Sequence, residues 1–111
     1  MMKRKVTAGL VGILLAAGAT TTAAALVYDG SMYGQYTVTH GATISVTDNV
    51  DDGRFVSSYY LYDDGTGEGS LVNKSGYNTT VTKTAPSEIT AFRPCISRSG
   101  PLPMSCGGWI H

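Results

Sequence analysis

The chain has 111 residues, no net formal charge, 42% hydrophobic residues and only 14% charged ones. That length holds one small domain. It carries no basic excess with which to neutralise nucleic-acid phosphates or an anionic membrane surface, so neither is expected as an obligate partner.

The chain opens on Lys3-Arg4-Lys5, continues in an apolar run over residues 6–17, and reaches a small-residue stretch ending Thr22-Ala23-Ala24-Ala25. This is the order of a secretory signal peptide. Cleavage is expected after Ala25, with Ala23 and Ala24 as near alternatives. A membrane anchor over residues 6–28 is the rival, since no charge falls between Lys5 and Asp29. Thr20-Thr21-Thr22 and the weakly apolar alanines argue against it. The expected division is a signal peptide at 1–25 and a single small β domain at 26–111, secreted and extracellular, with no membrane contact after cleavage.

Removing the three leader cations leaves five basic side chains against eight acidic ones, a formal charge of −3. All ten aromatic residues lie beyond the leader, seven of them Tyr. Tyr buries a ring while keeping its hydroxyl wet, which suits thin sheets with one solvated face. A domain this small buries only about 60–65% of its unfolded surface and gains much from a covalent link. Cys95 and Cys106 are the only cysteines. In an oxidising compartment a lone pair reads as a disulfide, contributing roughly 3 kcal/mol by loop closure. A two-thiol metal site would need closer spacing or nearby His ligands.

Short segments separated by turn residues follow, which is an all-β signature. Residues 31–40 alternate Tyr36 and Val38 with Gln35, Thr37 and Thr39. Residues 42–48 set Ile44 and Val46 against Thr43, Ser45 and Thr47, with a tight hairpin at His40-Gly41 between the two runs. An acidic turn over 48–53 leads to residues 54–62, where Phe55, Ser57, Tyr59 and Leu61 alternate with Val56, Ser58, Tyr60 and Tyr62. Two largely apolar faces predict a central strand covered on both sides. A second acidic turn, 63–67, precedes a strand at 68–73. Residues 79–84 read as an edge strand. Residues 88–96 read as a strand that ends or bulges at Pro94, which has no N–H to donate. A Ser/Gly/Pro loop at 97–105 and a closing segment at 106–111 complete the chain. No helical stripe survives beyond the leader. Six or seven short strands predict a small antiparallel β-sandwich or a partly open barrel, with the disulfide pinning the C-terminus.

Asp48, Asp51 and Asp52 invite comparison with a calcium loop. Val50 stands at a ligand position, Tyr59 stands where the closing Glu belongs, and no helix flanks the segment. Turn chemistry accounts for these acids, because Asp accepts local backbone bonds and Gly supplies positive φ. They stay weak metal candidates, and no cofactor is expected. Neither His40 nor His111 belongs to a catalytic motif, and no serine sits in an activating one. An enzyme is not expected. Within the clamped loop, Arg98, Leu102 and Met104 are candidate recognition residues, because two prolines and a bridge reduce the entropy lost on binding. Asn73-Lys74-Ser75 and Asn78-Thr79-Thr80 are formal glycosylation sequons.

Several segments resemble a group of functionally uncharacterised small secreted β-rich proteins of Gram-positive soil bacteria. They are Asp51-Asp52-Gly53-Arg54, Tyr59-Tyr60-Leu61-Tyr62, Asn73-Lys74-Ser75-Gly76, residues 89–95 and Cys106-Gly107-Gly108-Trp109. The resemblance spans about residues 46–110 and implies export, a β fold and the bridge, without an activity. Pro94 departs from it. The expected function is a non-enzymatic module that binds an extracellular protein or glycan. The alternative is a small protease inhibitor acting through loop 95–106.

Overall fold

The computed structural model describes residues 25–111. The leader expected over 1–25 lies outside the described residues but for Ala25. In chain order the strands are β1 (Val27–Gly30), β2 (Gln35–His40), β3 (Thr43–Asp48), β4 (Val56–Tyr62), β5 (Gly67–Asn73), β6 (Thr80–Thr84), β7 (Ala91–Ile96) and β8 (Ser105–Cys106). They form two four-stranded antiparallel sheets, ordered β1-β2-β3-β6 and β5-β4-β7-β8. The all-β expectation is therefore met by a sandwich of two open sheets and not by a closed barrel.

The chain passes between sheets at residues 49–55, 74–79 and 85–90, so β3 pairs with β6 while β4 pairs with β7. That is a Greek-key crossing between the two sheets. Its consequence is positional. The connections 31–34, 49–55, 74–79 and 97–104 gather at one end, and 41–42, 63–66 and 85–90 at the other.

β3 follows its alternation: Ile44 and Val46 are fully buried, and Thr43, Ser45 and Thr47 point outward. Those three hydroxyls face Thr84, Thr82 and Thr80 of β6, at 3.5, 2.9 and 2.7 Å. The outer face of this sheet is thus linked by a ladder of cross-strand hydroxyl pairs. In β4, Val56, Ser58 and Tyr60 turn inward. Tyr60 and Tyr62 lie opposite Gly69 and Gly67 of β5. A Cβ at Gly69 would come within 2.5 Å of the Tyr60 ring, so glycine makes the room the aromatic ring fills.

The interior divides along the strands. Towards the 85–90 end, Ile44, Tyr60, Ala85, Ile89 and Phe92 form one apolar cluster, with Leu26, Tyr28, Tyr62, Leu71 and Ile110 packed on it. Towards the loop end, a smaller cluster of Val46, Val56 and Ile96 stands beside buried amides and hydroxyls. In β2 the face turned inward is Gln35, Thr37 and Thr39, while Tyr36 is 39% exposed. Gln35 links the sheets. Its Nε2 donates to the carbonyls of Ser57 and Cys95, both at 2.9 Å. Its Oε1 accepts from Thr37 Oγ1 at 2.5 Å and Ser58 Oγ at 2.8 Å. All four bonding positions of the amide are filled, which is what permits its burial.

Several expectations need correction. β1 is an extra strand, and residues 31–34 are a turn with Gly34 at φ +62°, so the strand expected from Ser31 begins at Gln35. β7 begins at Ala91 and runs through Pro94 to Ile96 without a bulge. The reason is orientation: the Pro94 carbonyl accepts from Gly107 N, so the missing N–H belongs to the tail side, beyond the two-residue β8, and takes no bond from the β4 ladder. β4 is central as expected, but its outer face is only half covered. Ser57 is buried and Tyr59 is 37% exposed.

Candidate functional site

Cys95 and Cys106 form a disulfide between directly opposed residues of β7 and β8, with Cα atoms 4.0 Å apart. The bridge fixes the C-terminal segment along the edge of the second sheet. Phe92 and Ile110 exchange two backbone bonds further along, and the Arg93 guanidinium lies over the Trp109 ring at 5.6 Å. Of the three candidate residues in the clamped loop, Arg98 and Leu102 are exposed, Leu102 to 52%. Met104 is turned back onto β4, where its sulfur meets Ser57 Oγ at 3.5 Å. The structure thus separates Met104 from the two side chains that face solvent.

The clamped loop is joined to the acidic segment beside it. Phe55 N donates to Ser97 Oγ at 3.0 Å, and Ser97 N donates to the Phe55 carbonyl at 2.9 Å. The third loop, 74–79, is held by Asn73, the last residue of β5. Its amide donates to the Val46 carbonyl at 3.1 Å and the Thr79 carbonyl at 2.8 Å. Its oxygen accepts from Ser75 N at 2.9 Å and Thr79 Oγ1 at 3.3 Å. Full burial of this bonded side chain removes Asn73 as a glycosylation acceptor. The end of β3 joins the same loop, with Asp48 N donating to Thr79 O and Asn78 N donating to Asp48 O.

Between these loops lies a cleft of about 380 Å³, lined by Asp48, Val50, Asp51, Asp52, Gly53, Arg54, Phe55, Lys74, Gly76 and Tyr77. Asp48 forms its buried wall, at 2% exposure. Its Oδ1 accepts from Val50 N at 3.3 Å, while Oδ2 takes no hydrogen bond among the described residues and is open to the cleft. Burial pushes the Asp48 carboxyl above its ordinary range. The Val50 N–H opposes that rise, and the charges of Asp52 and Asp51 add to it. Asp51 and Asp52 are exposed, and Asp52 Oδ1 caps its own turn by accepting from Arg54 N at 3.0 Å. Gly53, at φ +72°, closes that turn. Lys74 places its ammonium over the Phe55 ring, 4.7 Å from the centroid, and Tyr77 is 55% exposed at the rim.

The three weak metal candidates therefore share one cleft, in which one carboxylate is buried and two face solvent. Among the described residues no three His, Cys, Asp or Glu side chains are arranged to hold a metal ion, and no helix is long and apolar enough to cross a membrane. His40 and His111 are exposed.

Sequence reasoning picked out the acids and the clamped loop but missed Phe55, Lys74 and Tyr77 as neighbours of Asp48. No spacing rule joins residues 48–55 to 74–77. The one available signal was Asn73 at a strand end before Lys-Ser-Gly, a residue type that organises turns through its side chain. Comparison of the chain with protein-family models, with curated proteins and with solved structures returns no match.

Proposed function

We propose that the protein is a secreted, non-enzymatic β-sandwich that binds an extracellular protein or glycan through the end carrying loops 49–55, 74–79 and 97–104. The observation that supports this reading is the cleft at that end, which combines carboxylates, two basic side chains and two aromatic rings beside a covalently clamped loop. Its size lies in the range of small-ligand sites. Loops at one end of a sandwich recognise partners in immunoglobulin variable domains, a fold-level analogy that carries less weight than the cleft. Export rests on the leader and accords with the disulfide, since such bonds persist in oxidising compartments.

Two measurements test the reading. Mass spectrometry of the culture medium should find a product beginning at Leu26 and lacking the two thiol hydrogens. Full-length protein held inside the cell with both thiols reduced would remove the export half. Extracellular material retained by immobilised residues 26–111 should be lost with Tyr77→Ala or Leu102→Ala and kept with Thr82→Val on the outer sheet face. Retention indifferent to the loop-end variants would remove the binding half.

The exposure of Arg98 and Leu102 on the clamped loop favours protease inhibition as the second reading. It requires at least one extracellular protease to be slowed, and the effect to disappear in Arg98→Ala.

A further inference from the structure

The cleft contains a carboxylate in an unusual position. Asp48 is only 2% exposed and lines the cleft, and its Oδ2, which takes no hydrogen bond among the described residues, opens onto that space. A buried ionised carboxylate is costly unless a counter-charge or several donors meet it. Here the protein supplies one N–H, at 3.3 Å, and two further carboxylates, Asp51 and Asp52, that deepen the negative potential. Nearby cations do not answer it. Lys74 sits on the Phe55 ring, and Arg54 turns its Nη1 towards the Ser97 carbonyl at 3.5 Å.

We infer that the cleft is a receptor for an alkylammonium or guanidinium group, with Asp48 as counter-ion and the rings of Phe55 and Tyr77 as its walls. This rests on the loop-end reading given above and names its ligand chemistry. The position of Lys74 supports it directly, because an ammonium 4.7 Å from the Phe55 centroid shows that this ring face already accepts a cation. Lys74 is then a tethered competitor. An incoming cation that pairs with Asp48 must displace it or endure its repulsion. A neutral sugar would need Lys74 as a donor instead, so the two chemistries predict opposite effects of removing it. Two sources offer the cation: a basic side chain of a partner polypeptide, or a free small amine.

The test is an amide-resolved NMR titration of the mature, oxidised protein. The probes are blocked lysine and blocked arginine (acetylated and methylamidated), a trilysine peptide, putrescine, cellobiose and calcium chloride. The expected result is saturable shifts at Asp48, Phe55 and Tyr77 with the cationic organic probes. Trilysine outcompeting putrescine at equal charge concentration identifies a polypeptide source, and the reverse identifies a free amine. Asp48→Asn, which keeps the shape and removes the charge, should weaken binding by about tenfold or more. Tyr77→Ala should weaken it less, and Lys74→Ala should strengthen it.

Shifts with cellobiose alone, or with calcium alone, would overturn the inference and leave the loop end as a binding surface. Lys74→Ala weakening the cationic probes as much as Asp48→Asn would overturn it as well. No shift with any probe, together with a retained extracellular partner that still depends on Tyr77, would sink the cation chemistry while sparing the proposed function. No shift and no retained partner would remove both. Because Asp48→Asn could perturb the turn, unchanged amide shifts outside residues 46–55 serve as its folding control.

Discussion

The two halves of this sandwich are built on different terms. Towards the 85–90 end, the sheets meet through Ile44, Tyr60, Ile89 and Phe92, a cluster whose one polar side-chain group is the Tyr60 hydroxyl. Towards the loop end they meet through Gln35 and Asn73, amides that each donate to backbone on the opposite sheet. Apolar packing is non-directional and tolerates small rotations, whereas a saturated amide fixes distance and register at once. The apolar half supplies most of the free energy of association. The amide half sets where the loops stand, and the cleft is on that side.

Breaking the apolar half should have the largest effect. Phe92→Ala removes a fully buried ring and should cost about 3–5 kcal/mol, seen as a large fall in the urea midpoint. An effect below about 1 kcal/mol would show that the cluster is not the main support. Gln35→Leu keeps the volume but leaves two carbonyls and two hydroxyls without their partner, and should cost roughly 3 kcal/mol. Its further signature is spatial: amide shifts should move at residues 48–58 and 95–97 more than around Ile89. Uniform shifts would deny the amide its positioning role.

Reduction of the disulfide should cost up to about 3 kcal/mol. Since Cys95 and Cys106 are neighbours within one sheet, strand content by circular dichroism should stay close to that of the oxidised protein at low temperature. Loss of the β spectrum on reduction would make the bridge a condition of folding. The smallest effect belongs to Asp48. Its carboxyl is raised in the folded protein, so the folded state holds the proton more tightly than the unfolded one. Its contribution to stability is therefore greatest at low pH and falls as pH rises from the ordinary carboxylate range through the raised value. Asp48→Asn should flatten that part of the stability profile relative to the parent. An identical profile in both would place the carboxyl in water.

The strands with one clearly apolar face were legible. Ile44 and Val46 stand out against Thr43, Ser45 and Thr47, and β3 is found where that alternation predicts it. The cysteine pair was legible because composition leaves it no other partner. β2 was legible as a strand but not as a face. A period of two separates Tyr36 and Val38 from Gln35, Thr37 and Thr39, and only the carbonyls of Ser57 and Cys95, 22 and 60 residues away, make the polar set the buried one. β1 carries Val27, Tyr28, Asp29 and Gly30 one residue beyond the alanines, with no alternation to mark it, and takes its place by pairing with β2. The cleft was the least legible part. It is assembled by a sheet crossing that brings residues 74–77 against 48–55, and nothing local to either segment records the encounter.

The rungs formed by Thr43, Ser45 and Thr47 with Thr84, Thr82 and Thr80 bear on how such a chain finds its final alignment. A misthreading of β6 by a single position would cut every one of those links together and swing Val81 out into water. The correct alignment is thus separated from its nearest impostors by a collective penalty. A polypeptide that must assemble without help would possess in these hydroxyls its own means of rejecting them.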